Sequence, residues 1–129
     1  QNNKAAYSRT LAMQAAYNMA DIIRSYKDRN GNIISTFNAV DSTVPGTTPS
    51  CIIDAITSCT PANMASADIY QWKTRLQELL PSGRGTVDID GAFYRIRVMW
   101  DEDRTGVTGE DCDPADADDL KCHEINVQI

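Results

Sequence analysis

The stretch Arg84-Gly-Thr-Val-Asp-Ile-Asp-Gly-Ala-Phe-Tyr-Arg-Ile-Arg-Val-Met-Trp100 decides the fold class. Its apolar residues recur every second position. Tyr94, Ile96, Val98 and Trp100 fall on one side, and Arg95, Arg97 and Met99 on the other. Asp90-Gly91 is a pair well suited to a tight reverse turn, so the stretch predicts a hairpin with one apolar face. Downstream, residues 122–129 alternate in the same way, with Ile125, Val127 and Ile129 opposite Glu124, Asn126 and Gln128. They predict a third strand. Together, residues 84–129 are expected to form an antiparallel sheet.

Upstream of Gly83 the period is helical. Residues 3–27 contain neither Pro nor Gly and are rich in good helix formers. Ala5, Ala12, Ala16, Met19, Ile23 and Tyr26 recur at steps of three, four or seven, which makes an apolar stripe along one long helix. Asn30 and Gly31 are the expected left-handed end of that helix. Residues 28–59 read as an irregular connection. Thr60-Pro61 is a helix start, with Thr as N-cap and Pro at the first position. Ile69, Trp72, Leu76, Leu79 and Leu80 then form an apolar face, and Pro81-Ser-Gly83 ends the helix. The expected architecture is α+β, one domain over residues 1–129. It comprises a helix over 1–27, the connection, a helix over 60–80, and a sheet carrying a long loop over 101–120.

That loop holds nine of the eighteen acids against one base, Arg104, a local charge of −8 in a chain whose total is −6. The acidic total argues against nucleic acid as a partner. Cys51, Cys59, Cys112 and Cys122 allow three connectivities. Local pairing is the expected one, with closed loops worth about 2.5–3 kcal/mol each in the chain-entropy model. Disulfides imply an oxidising compartment. No apolar run approaches the roughly 18–20 residues of a membrane span. The start at Gln1, without a methionine, is read as upstream processing or trimming.

Catalytic candidates are few. The single histidine, His123, is expected on the strand surface, facing away from Ile125. No nucleophile elbow, phosphate-cradling loop or zinc-protease motif is present, and no enzyme activity is expected. Residues 101–112 come near a calcium loop, with oxygen ligands at positions 1, 3 and 5 and Gly106 at position 6, but Cys112 replaces the closing Glu. Asp101, Asp103, Glu110 and Asp111 remain a weak calcium set, and a solvated acidic loop is the preferred reading. No other cofactor is expected. Trp72 and Trp100 are expected in the core, and Tyr7 and Tyr17 on the helix surface.

Three ordered patches resemble the PilV kind of type IV pilus minor pilin. They are Ala15-Ala-Tyr-Asn-Met-Ala-Asp-Ile-Ile-Arg24, then Cys59-Thr-Pro-Ala-Asn-Met-Ala65 with Asp68-Ile-Tyr-Gln-Trp-Lys73 and Leu79-Leu-Pro-Ser-Gly-Arg-Gly85, then Arg97-Val-Met-Trp-Asp101. The resemblance implies the pilin fold and a structural role in a minor-pilin complex that primes pilus assembly near the tip. Other minor pilins, the major pilin and a tip adhesin are the implied partners. It further implies an upstream apolar segment, absent here, that holds the natural protein in the bacterial inner membrane before it reaches the surface pilus. Ala5, Ala12, Ala16 and Met19 are then expected to be a mixture of core and subunit interface. A minor pseudopilin of a type II secretion system and, in a different class, a calcium-dependent ligand-binding module are the alternatives.

Overall fold

The computed structural model describes residues 2–53 and 59–129. Gln1 and the 54–58 part of the expected connection lie outside the described residues. In chain order the elements are helix α1 (Asn2–Arg24), a 3-10 turn (Ser35–Phe37), strand β1 (Ala39–Val40) and a single helical turn α2 (Ser50–Ile53). Helix α3 (Pro61–Leu79) and strands β2 (Arg84–Asp90), β3 (Phe93–Trp100) and β4 (Lys121–Val127) follow. The fold is α+β: a long N-terminal helix and a further helix on one side of a small antiparallel sheet, ordered β1-β2-β3-β4.

The stripe that α1 buries is Ser8, Ala12, Ala16, Met19, Ala20 and Ile23. Small residues dominate its first half, which permits a close approach of the helix to the strands there. The helix stops at Arg24, three residues short of the expected Lys27. Tyr26 explains this. Its ring packs on Phe37 at 5.2 Å between centroids, and its hydroxyl donates to Asp68 on α3 at 2.5 Å. Burial and the Asp68 carboxylate push that phenol above its usual range. The chain leaves the helix to make these contacts, tightening into i to i+3 bonds at Tyr26 and Lys27. Gly31 is left-handed, as its sequence context suggests, but it belongs to a separate turn in which Asp28 accepts from the backbone N–H groups of Asn30 and Asn32.

Helix α3 begins as read: Thr60 accepts from the Asn63 N–H at 3.2 Å and Pro61 takes the first position. Its Trp72 donates from the indole to the Ala15 carbonyl of α1 at 2.9 Å, which ties the two helices together. Leu79 is exposed rather than part of the apolar face, whereas Leu80, which caps the helix, is buried as expected.

The hairpin forms in the expected register, Asp90 opposite Phe93 and Arg84 opposite Met99. Gly91, with φ of 63°, occupies the first turn position, where a positive φ favours glycine. The inner face of the sheet carries Val87, Ile96, Val98, Trp100 and Ile125 against the helices. Across the outer face run ion pairs between facing residues, Arg95 with Asp88 and Arg97 with Glu124, each with a closest approach of 2.6 Å. The connection adds an element that its sequence does not announce. Ala39–Val40 pairs with Asp88 and Val87 as a fourth strand.

Candidate functional site

The acidic loop departs furthest from its expected state. Most of its residues are exposed, as expected of a solvated loop, but its 110–112 segment is a strap drawn across the outer face. The Glu110 carboxylate accepts from Arg84 of β2 at 2.9 Å and from the Ser42 hydroxyl at 2.8 Å. Two residues later Cys112 is bonded to Cys122 of β4. Arg84 and Cys122 are the register neighbours of Met99 on either side. The segment from Glu110 to Cys112 therefore crosses above Met99, which is 1% exposed although it points away from the main core. Gly109 and Asp119 bridge within the loop, and the Leu120 N–H donates to the Gly109 carbonyl at 2.8 Å.

Most of the loop's carboxylates serve the loop itself. Asp101, 4% exposed, accepts from the N–H groups of Thr105 at 3.2 Å and Gly106 at 2.8 Å, one on each oxygen. Glu102 accepts from the Trp100 indole at 2.7 Å. Asp113, Asp116 and Asp119 accept from the backbone of Ala115, Asp118 and Asp113. Aspartate suits such turns because its short side chain reaches backbone donors two residues on.

This arrangement disperses the calcium set. Both oxygens of Asp101 face backbone donors, Glu110 holds Arg84 and Ser42, and Asp103 and Asp111 are exposed. Among the described residues no group of three or more His, Cys, Asp or Glu side chains is arranged to hold a metal ion.

Both local disulfides form, Cys51–Cys59 and Cys112–Cys122. His123 lies on the inner face, contrary to expectation. Residues 123 and 125 are two apart in a strand, so His123 shares the face of Ile125, and its Nε2 is buried with no hydrogen-bond partner. Burial and the Arg9 guanidinium push its pKa below the ordinary histidine value.

The helix residues expected to mix core and interface separate cleanly. Ala12, Ala16 and Met19 are fully buried in the chain's own core and offer no surface to a partner. Ala5 is exposed in the first turns, in line with the same stripe. The opposite side of α1 exposes Tyr7, Met13 and Tyr17. Between α1 and α3 a hollow of about 240 Å³ is floored by Leu11, Ala15, Trp72 and Leu76. Among the described residues no helix is long and apolar enough to cross a membrane.

The fold defines the class: an α+β domain with a long N-terminal helix on a small antiparallel sheet, consistent with a pilin-like fold. Comparisons with protein-family models, with curated proteins and with solved structures give no match.

Proposed function

We propose that the chain is the headgroup of a type IV minor pilin, a structural subunit that joins other minor pilins in the complex that primes pilus assembly. The observation that carries this reading is the division of α1. One side is consumed by the domain's own core, while the other presents Tyr7, Met13 and Tyr17, and the first turns leave Ala5 open. A helix used in this way has a second face available for neighbouring subunits. The two disulfides support an oxidising location, the periplasm and then the cell surface. The patches shared with the PilV kind of minor pilin support the same reading, and the major pilin and a tip adhesin are its further partners.

The test is deletion of the gene in its own bacterium, with surface pili counted by electron microscopy and associated pilins recovered by immunoprecipitation of the restored protein. Loss of pili, restored by the wild type and not by Tyr17→Glu, is the expected result. Normal pili with no co-purifying pilin would sink the proposal. Normal pili with a defect in protein secretion would move the chain to the pseudopilins.

A further inference from the structure

His123 stands where α1, β3 and β4 meet. On β3 its register partner is Val98, and Ile96 and Trp100 are the neighbouring inner-face residues. On β4 the next inner residue is Ile125. These surroundings are apolar. The nearest charge comes from α1, where the Arg9 guanidinium lies 5.5 Å from the Trp100 ring centroid and its Nη1 donates to the Cys122 carbonyl at 3.4 Å. Glu124 is engaged with Arg97 on the outer face, and exposed Lys121 lines a cleft with Arg9, Asp113, Asp116 and Asp119. Tyr94, titratable and also on the inner face of β3, lies two inner-face positions further along, opposite Val127.

We infer that His123 is a pH-sensitive latch whose protonation releases the N-terminal half of α1 from β4. A neutral ring can leave Nε2 bare, so no buried donor goes unmet. A protonated ring must place an N–H donor and a positive charge on that atom, against an apolar wall and beside a guanidinium, with no acceptor provided.

Relief comes from parting α1 and β4, because the two halves of α1 are held unequally. The half after Ala15 is fixed by Met19, Ala20 and Ile23 in the core and by the Trp72 bond to the Ala15 carbonyl. Just beyond the helix, the Tyr26 contacts hold its end. The half before it is held by Ser8, Ala12, the partly buried Leu11 and the Arg9 contacts. Leu11 is the one large apolar side chain this half packs on the core, and it is only partly buried, whereas the second half buries Met19 and Ile23 completely, so the first half opens at lower cost.

The direction follows from proton linkage. The closed ring titrates below the ordinary value of 6.5. As pH falls through 6.5 the open form binds the proton first, so opening gains weight until the closed ring protonates as well. Above 6.5 the latch is fully closed. One proton limits the change to about tenfold in the opening equilibrium per pH unit.

Because the chain has one histidine, its ring signal in an NMR titration is unambiguous. The expected result is a His123 midpoint below 6.5. Hydrogen-exchange protection of residues 5–12 and 121–127, corrected for intrinsic rates, should fall by up to tenfold per pH unit from 6.5 downward while α3 keeps its protection. His123→Gln should remove this step, and Arg9→Gln should raise the midpoint and shrink the loss. A midpoint at or above 6.5 overturns the latch, as does an undiminished step in His123→Gln or an equal loss of protection in α3. Should His123→Gln fail to fold, the wild-type titration and exchange decide alone.

Discussion

Gly85 lies directly beneath the side chains of α3. A Cβ built there would stand 2.3 Å from the Trp72 ring and 2.7 Å from the Leu76 side chain. Neither can retreat easily, because Trp72 is 3% exposed and bonded through its indole to α1. Gly85→Ala is therefore expected to cost about 1–3 kcal/mol, in the range of overpacking a filled core, measured as a lower urea midpoint at unchanged slope. The sequence places a glycine in a strand, where it weakens pairing, and gives no sign of the indole above it. Met99 and His123 mark a similar boundary. Strict alternation assigns Met99 to the outer face, correctly, but does not reveal that a loop covers that face. For His123 the alternation itself carries the answer, since two residues from Ile125 means the same face.

At the scale of the element, the hairpin was legible because seven register pairs repeat one rule and the turn residues agree with it. Strand β1 was not legible. Two residues, Ala39 and Val40, have no periodicity, and their strand state comes wholly from the β2 edge beside them. The strap was hidden for a related reason. Its fold rests on Glu110 meeting Arg84 across 26 residues and Ser42 across 68, and no local pattern encodes such meetings. The strap leads to a measurable expectation. Replacing both Cys112 and Cys122 by serine removes the closed loop, with an expected loss of about 2.5–3 kcal/mol in the chain-entropy model. Uncovering Met99 adds to that loss. Chemical denaturation of the double variant beside the oxidised wild type checks the figure, and a loss below about 1 kcal/mol would mean that Glu110 alone holds the strap down.

For the whole molecule, the acidic total acquires a structural meaning. Six of the nine acids between residues 101 and 120 accept hydrogen bonds that shape the loop: Asp101, Glu102, Glu110, Asp113, Asp116 and Asp119. The charge is concentrated where the backbone needs short acceptors. The division of α1 gives a paired prediction at this scale. Ala12→Glu places a charge in the core and is expected to unfold the domain or cost several kcal/mol. Ala5→Glu, on the exposed continuation of the same stripe, should change stability by less than about 0.5 kcal/mol and weaken association with pilin subunits in a pull-down. Calorimetry and the pull-down together separate the two roles.

The Cys112–Cys122 bond also determines how the chain responds to being cut. A protease that severs any peptide bond between these residues, for instance at the exposed tip around Asp116, opens the loop but cannot detach β4, which stays joined through sulfur. Such a nick should add the mass of one water to the intact protein and release the C-terminal fragment only after reduction. Mass spectrometry before and after a thiol reductant reads this directly, and release of the fragment without reductant would contradict it. The surface tip can thus be clipped while the last strand is retained.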